Sequence, residues 1–338
     1  MGRVLFYRDF HGFTGGHLKV WNYFNHTLKS ENYQPYISFT PNSLWDSTNP
    51  WSLFPQQIIK DLSSFSGSNP TRYLLFLAGL DWLRLPEAER HNSSMPIINL
   101  IQGFRHADPQ HPCYEFLQYP AIRICVSQEI KAAIEATGRP KGQIFVIPNG
   151  IDLKKFPSPQ PLALASRGDM DWVKSAKCPH QVTIVALKQP QLARQLRLQL
   201  QTTFPEIQIK MIDTFLPRHE FIQGLQRSQI TIFLPLATEG FYLPALEGMA
   251  AGTLVICPDC VGNRSFCLDN WNCWRPEYKL ASIFQAVGQA LTAEPGKWQE
   301  IHSHAQLTVA KHDLMAEQMA FLEILANVEQ LWREVLTK

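Results

Sequence analysis

Short apolar runs alternate with amphipathic stretches along the first 150 residues of the chain. Such runs are typical of parallel strands buried on both faces, and the stretches between them have helical spacing. The predicted strands are Arg3–Tyr7, Tyr36–Phe39, Tyr73–Leu77, Ile97–Ile101, Ile122–Val126 and Gln143–Ile147. The predicted helices are His17–Lys29, Pro55–Phe65 and Ser127–Ala136. The pattern therefore predicts a parallel α/β sheet covered by helices.

The same alternation resumes after residues 154–181, which are rich in Pro, Ala and Lys and are predicted to link two domains. The predicted strands there are Val182–Ala186, Ile207–Ile212, Ile230–Leu234 and Thr253–Cys257. The predicted helices are Gln191–Leu200, His219–Gln226, Pro244–Ala251 and Leu280–Leu291. His312–Leu336 has the apolar spacing of one long amphipathic helix. We expect two doubly wound domains that bind ligands at the carboxyl ends of their strands.

Composition excludes some classes of function. The chain has 338 residues, 45% of them hydrophobic, which suits roughly two packed domains. A net charge of +2 gives no bias towards nucleic acid. No apolar run approaches the roughly 18 residues of a membrane span. A strand pattern begins at the first residues without a signal-peptide pattern before it, so a cytoplasmic protein is expected.

The seven cysteines allow two interpretations. Cys257 and Cys260 form a C-x-x-C pair, and Cys267 and Cys273 follow, which is a combination that zinc sites use. No second C-x-x-C pair follows, however, and Cys257 ends an apolar strand. Reduced, partly buried thiols are therefore favoured over zinc, and no metal site is predicted.

The most informative segment for chemistry places two carboxylates, Glu239 and Glu247, eight positions apart. Pro244 falls in the first turn of a helix, where its missing N–H costs nothing. Four backbone N–H groups before it are predicted to form an exposed helix N-terminus suited to phosphate. They belong to Gly240, Phe241, Tyr242 and Leu243. Glu247, inside the same helix, is placed to accept hydrogen bonds from ribose or sugar hydroxyls.

This segment resembles the Glu-x7-Glu signature of the retaining glycosyltransferases of family 4, which have the GT-B architecture of two Rossmann-like domains facing across a cleft. The string Val146–Asp152 is similar to the one that ends the family's N-terminal domain. The resemblance implies an acceptor-side domain over 1–150, a nucleotide-sugar-binding domain over 151–311, and a final helix over 312–338 that crosses back to the N-terminal domain. Tyr242 replaces the family's second glycine, which bears on the choice of sugar, and Gly248 replaces an alanine.

Two further segments resemble phosphate-binding parts of the family. Gly15 and Gly16, between the first strand and the first helix, are similar to the glycine loop that approaches the donor phosphate and the acceptor. The family also carries two basic residues after the first strand of its second domain, which grip the donor diphosphate. Lys188 stands at the first position, Ala193 at the second, and Arg194 one residue further on. We interpret Lys188 and Arg194 as diphosphate ligands, the alternative being solvated helix charges.

The fourth strand shows a departure from the family. Many members have a histidine at its end, near the donor sugar, where this chain has Gln102. His106 follows four residues later. Either Gln102 supplies the hydrogen bonds, or Arg105 and His106 reach in from the loop. His106 is therefore a catalytic candidate beside Glu239.

The resemblance implies a metal-independent, retaining, hexosyltransferase-like enzyme without a cofactor. It would move a sugar from a UDP- or GDP-type nucleotide sugar to a hydroxyl of a glycan, a lipid carrier or a small molecule. A lipid carrier would bring peripheral membrane contact, and no nucleic-acid partner is expected. Two alternatives stay open: a non-catalytic nucleotide-sugar- or glycan-binding relative, and another GT-B enzyme such as a sugar-nucleotide epimerase. The sequence does not name the sugar, the base or the acceptor.

Overall fold

The computed structural model describes residues 1–12, 14–59, 73–156 and 181–337. The chain divides into two compact units. Unit 1 comprises Met1–Asn149 together with Met315–Lys338, and unit 2 comprises Gly150–Leu314. Most of the predicted linker, and residues 60–65 of the helix predicted from Pro55, lie outside the described residues. The described start of that helix is a short 3-10 turn, Pro55–Gln57.

Unit 1 is built on a six-stranded parallel sheet with the strand order β2-β1-β3-β4-β5-β6. Its strands are β1 (Gly2–Arg8), β2 (Tyr33–Phe39), β3 (Tyr73–Ala78), β4 (Ile97–Ile101), β5 (Ile122–Cys125) and β6 (Ile144–Val146). The described α-helices that lie between these strands along the chain are α1 (Gly15–Thr27), α2 (Glu87–His91) and α3 (Gln128–Glu135). Every residue of β4 and β5 is buried, as their continuous apolar runs predict.

Unit 2 is built on a four-stranded parallel sheet with the order β10-β9-β7-β8. Its strands are β7 (Gln181–Val185), β8 (Gln208–Ile212), β9 (Ile230–Phe233) and β10 (Leu254–Ile256). Its helices are α4 (Pro190–Thr203), α5 (Arg218–Gln226), α6 (Leu243–Ala251), α7 (Leu280–Thr292) and α8 (Pro295–Ala310). The sequence pattern predicted these elements except α8, whose apolar positions are sparse.

Two C-terminal helices, α9 (Leu314–Ala326) and α10 (Val328–Thr337), replace the single long helix predicted for this stretch. The interruption is at Asn327, whose side-chain amide donates to the Glu323 carbonyl at 2.9 Å. Asparagine side chains that bond to a nearby backbone group compete with helical hydrogen bonding. Phe321 of α9 packs edge-on against Tyr23 of α1, with ring centroids 4.7 Å apart. The C-terminal segment thus contributes to the core of unit 1.

A buried ionic cluster joins α9 to α1. Glu317 accepts hydrogen bonds from Lys19 through one oxygen and lies 3.1 Å from the His26 ring nitrogen through the other. All three side chains are at most 3% exposed. Burial alone raises the pKa of Glu317, but Lys19 and His26 together hold it below its usual value.

The strand orders determine where ligands can approach each unit. In unit 1 the chain turns from β1 to β2 on one side and to β3 on the other, and in unit 2 the corresponding strand is β7. Crevices in open parallel sheets lie at the carboxyl ends of strands beside such reversals. A ligand site is therefore expected at the segments that follow β1, β4, β7 and β9.

Candidate functional site

The Glu-x7-Glu segment of unit 2 forms the turn between β9 and α6. As predicted, Pro244 lies in the first turn of α6. Gly252 ends the helix in the left-handed conformation, with φ of 83°, which glycine adopts without steric cost. The turn thus has the strand–loop–helix form that the sequence predicted.

A second segment, which the sequence analysis missed, fixes this turn. Gly262 accepts a hydrogen bond from the Tyr242 N–H at 2.8 Å, and the Val261 N–H donates to the Ala237 carbonyl at 3.0 Å. A Cβ atom at Gly262 would lie 2.5 Å from the Glu239 carbonyl oxygen. Only glycine fits there, so Gly262 sets the path of the backbone at Glu239. Its only sequence signal is a glycine in the loop after β10.

Two of the four predicted phosphate-binding N–H groups are engaged within the protein. The Tyr242 N–H is engaged by Gly262, and the Leu243 N–H donates to the Phe241 carbonyl at 3.0 Å. The N–H groups of Gly240 and Phe241 donate to no acceptor among the residues that the structure describes. The expectation of four exposed groups therefore needs correction, because the turn folds back onto Gly262.

The Tyr242 ring points into the core of unit 2. The residue is 4% exposed, and its ring packs edge-on against Phe233, with centroids 6.2 Å apart. Burial is the main reason that the pKa of its hydroxyl lies well above the usual value. Phe233 also explains Gly248, since a Cβ atom there would lie 2.7 Å from the Phe233 ring. Glycine in place of alanine makes room for this phenylalanine.

The two carboxylates of the signature have different surroundings. Glu239 is partly exposed, and its carboxylate accepts a hydrogen bond from the Leu236 N–H at 3.3 Å. The Glu247 side chain is 1% exposed and pairs with Arg218, the first residue of α5. Burial raises the pKa of Glu247, and Arg218 opposes that rise. The sequence analysis missed Arg218, because nothing in the sequence links it to a residue 29 positions away.

The predicted diphosphate ligands lie at the start of α4. Lys188 is exposed in the turn after β7, and Arg194 is exposed on the second turn of the helix. Ala193, at the position of the family's second basic residue, is fully buried and faces the core of unit 2. A basic side chain at 193 would be buried, whereas that of Arg194 reaches the surface.

Unit 1 has a recess at the carboxyl ends of β1, β3 and β4. Gln102 reaches across it, and its amide lies 3.4 Å from the Gly16 carbonyl oxygen. Thr14 caps α1, so that Gly15 and Gly16 form its first turn. The lining residues are Arg8, Thr14, Gly16, His17, Ala78, Gln102 and Arg105. The structure therefore brings one glycine of the predicted loop together with Gln102 and Arg105.

The electrostatics of the recess are positive. The Arg8 guanidinium donates hydrogen bonds to the Asp81 carboxylate and to the Ala78 carbonyl oxygen, the latter at 3.1 Å. Burial, followed by the charge of Arg8, lowers the pKa of His17 to about 4, so that this ring is neutral at pH 7. Arg105 is exposed at the rim. The lining suits hydroxyl-rich or anionic groups.

His106 is not placed as the sequence predicted. It ends the 3-10 turn Phe104–His106, and its side chain is fully buried, away from the recess lining. Its Nδ1 lies 3.3 Å from the Gly103 carbonyl oxygen, and burial is the main cause that lowers its pKa to about 3. The turn packs against the 3-10 helix Pro112–Gln118, which turns the ring inward. His106 is thus a buried residue of the core. Gln102, and not His106, lines the recess.

Three solved structures show which fold the chain resembles. HepE from Anabaena, in complex with UDP-glucose, is 13% identical, with a TM-score of 0.68 over 97% of this chain and 100% of that one. Sucrose-phosphate synthase from Thermosynechococcus elongatus is 13% identical, with a TM-score of 0.64 over 100% of both chains. An α,α-trehalose-phosphate synthase (UDP-forming) from Burkholderia vietnamiensis is 12% identical, with a TM-score of 0.66 over 99% and 100%.

The fold is GT-B. The predicted class of two Rossmann-like parallel-sheet α/β domains is thus confirmed. No protein-family model and no curated protein matches the chain.

The cysteines that the structure describes in unit 2 are buried. Cys257, Cys260, Cys267 and Cys273 are each at most 1% exposed, and none is in a disulfide. Within the described ranges, no group of three or more His, Cys, Asp or Glu side chains is arranged to hold a metal ion. Among the same residues, no helix combines the length and the apolar character that a membrane crossing needs.

Proposed function

We propose that this GT-B protein is a retaining glycosyltransferase that uses a UDP- or GDP-type nucleotide sugar as donor. The observation that carries the proposal is the turn after β9. There the unengaged N–H groups of Gly240 and Phe241 precede α6, and the carboxylate of Glu247 lies one turn inside that helix. A phosphate binder followed by a carboxylate hydrogen-bond acceptor matches a nucleoside diphosphate.

Each residue of the proposed donor site would have a distinct part in the reaction. Departure of the diphosphate builds negative charge, which Lys188 and the two N–H groups would stabilise in place of a metal ion. Arg194 would add charge at longer range. Glu239 would contact the transferred sugar and steady the positive charge at its anomeric carbon. The Glu239–Glu247 spacing is what supports retention, with the acceptor hydroxyl attacking the face that the diphosphate leaves.

Acceptor binding is assigned to unit 1. The recess beside Gly16, Gln102 and Arg105 offers amide, guanidinium and backbone groups to hydroxyls of a glycan, a lipid carrier or a small molecule. Gln102 would provide the hydrogen bonds that the family obtains from a histidine. The catalytic part expected of His106 stays a prediction, and its side chain is fully buried in this structure.

Nucleotide-dependent stabilisation tests the donor site. We expect one of UDP, GDP and ADP at millimolar concentration to raise the melting temperature of the wild type, since ligand at 100 times its Kd adds about 2.7 kcal/mol. Glu247→Gln and Lys188→Ala should each lose most of this shift. Lys210→Ala, an exposed lysine of the same unit, is the matched control and should keep it.

Turnover is tested separately with the sugar form of the nucleotide that binds. Release of the nucleoside diphosphate, alone or with an acceptor panel, should depend on Glu239 and should give a product of unchanged anomeric configuration. A folded wild type that none of the three nucleotides stabilises would contradict the proposal.

One observation favours a second candidate, a non-catalytic nucleotide-sugar-binding protein. Gln102 stands where the family has a titratable histidine, and it cannot exchange a proton near pH 7. Tight binding of a nucleotide sugar without hydrolysis or transfer to any acceptor would select this second function.

A further inference from the structure

The carboxylate of Glu247 is buried beside a single basic side chain. Nη2 of Arg218, at the start of α5, donates a hydrogen bond to Oε1 of Glu247. The glutamate side chain is 1% exposed, whereas the arginine side chain is 35% exposed. The pair therefore has one partner in the protein interior and one partner at the surface.

The two oxygens of this carboxylate differ. Oε1 is engaged by Arg218, whereas Oε2 accepts no hydrogen bond from any residue that the structure describes. Because the side chain is only 1% exposed, water has little access to this oxygen, and a further hydrogen-bond donor would stabilise it. Hydroxyl groups of a bound molecule would supply one.

The ionisation state of Glu247 decides what it can bind. An ionised carboxylate only accepts hydrogen bonds, whereas a protonated one also donates. Burial raises the pKa of Glu247, while Arg218 and, more weakly, Lys155 lower it. Arg218 is thus the main group that favours the ionised, purely accepting form of this side chain.

We propose that Arg218 is a positioning residue of the nucleotide site. By binding Oε1 of Glu247, it orients Oε2 as an ionised acceptor for the 2′- and 3′-hydroxyl groups of a ribose. The site would consequently select ribonucleotides over their deoxy forms. This inference rests on the proposed function, because it assumes that Glu247 contacts the ribose.

The competing explanation is that Arg218 only ties α5 to α6. A tie of this kind would affect stability and the affinity for all nucleotides alike. It would not change the preference between a ribonucleotide and its dideoxy form, nor the pH dependence of that preference. The ratio of the two affinities therefore separates the two explanations.

The experiment is isothermal titration of the full chain with UDP, GDP and ADP, each beside its 2′,3′-dideoxy counterpart. We expect the wild type to prefer one ribonucleotide by about tenfold or more, the usual worth of a hydrogen bond to a charged group. In Arg218→Met the preference should fall to within about twofold at pH 7. It should partly return as the pH is raised further, because a higher pH favours the ionised form of Glu247 even without its partner.

Two variants complete the design. Arg218→Lys keeps a positive charge and should retain part of the preference. Arg227→Met removes an exposed arginine from the other end of α5 and should behave as the wild type.

Two results would overturn the inference in different ways. If the wild type prefers the ribonucleotide and Arg218→Met keeps that preference at pH 7, the role of Arg218 is wrong while the donor site stands. If the wild type binds none of the nucleotides, or binds both forms equally, the contact between Glu247 and ribose is wrong and the inference fails with it. If the methionine variant does not fold, Arg218→Lys decides the first case, because a preference as large as that of the wild type would overturn the role of Arg218, whereas a reduced one supports it.

Discussion

Two buried glutamates, one in each unit, show how similar burial can serve different ends. Glu317 in unit 1 has both oxygens engaged, by Lys19 and His26, and its pKa is lowered. Glu247 in unit 2 has one oxygen engaged, by Arg218, and its pKa is raised although it is equally inaccessible. The first is an internal structural contact, and the second keeps one oxygen without a hydrogen-bond donor among the described residues, as the proposed binding part requires.

The partners of the two glutamates differ in the same sense. Lys19 is buried with Glu317, so neither charge can reach water if the other is removed. Arg218 is about one-third exposed and can be rehydrated if Glu247 is neutralised. Removing one partner of the mutually buried pair would leave an unpaired buried charge, whereas the exposed partner of Glu247 can turn to water, which is compatible with the binding part that we propose for this glutamate.

The largest expected effect comes from exchanging each glutamate for glutamine. Glu317→Gln should lower the free energy of unfolding by about 3 kcal/mol, because it leaves Lys19 buried without a counter-charge. Glu247→Gln should change it by less than about 1 kcal/mol, because Arg218 turns to water. Urea denaturation measures both values.

Glu323→Ala is the control for this pair, since it removes an exposed glutamate of α9 and should be nearly neutral. Equal losses in the two glutamine variants would break the comparison and make Glu247 a structural residue like Glu317.

A smaller effect is expected at the residue that follows Glu247. Gly248→Ala places a methyl group 2.7 Å from the Phe233 ring. The clash should exceed the gain of about 1 kcal/mol in helix propensity and cost about 1–2 kcal/mol net. Thermal denaturation measures this, and Phe233→Leu in the same chain should recover part of it. Gln318→Ala, at the matching position after Glu317, should be neutral; a neutral Gly248→Ala would refute the packing explanation.

The smallest effect is a difference in pH dependence. Glu317 has a folded-state pKa below its usual 4.5, so its contribution to stability is present above that pH and is lost as the pH falls below it. Glu247 has a folded-state pKa above 4.5, so ionisation destabilises the fold as the pH rises above 4.5.

On lowering the pH from 7 to 4, the wild type should therefore lose stability relative to Glu317→Gln and gain it relative to Glu247→Gln. Unfolding free energies at several pH values test the two signs, and the same sign for both would show that the two environments are not opposed.

Much of the site followed from local pattern. The Glu239–Gly252 segment, the proline in the first turn of α6 and the glycines at α1 depend on neighbouring residues, so spacing predicts them well. The engagement of the Tyr242 N–H could not be predicted from local pattern, because its acceptor is Gly262, 20 positions further along the chain. The burial of His106 depends likewise on packing against Pro112–Gln118.

The sequence by itself determined the alternation of strands and helices, the division into two α/β domains and the identity of the carboxylates and cations, because periodicity and turn chemistry act over a few residues. Only the tertiary structure decided which of these groups meet. The pairing of Glu247 with Arg218 and of Glu317 with Lys19 arises from the packing of helices far apart in the chain. Burial and charge at those contacts set the pKa of each group, and no local pattern records them.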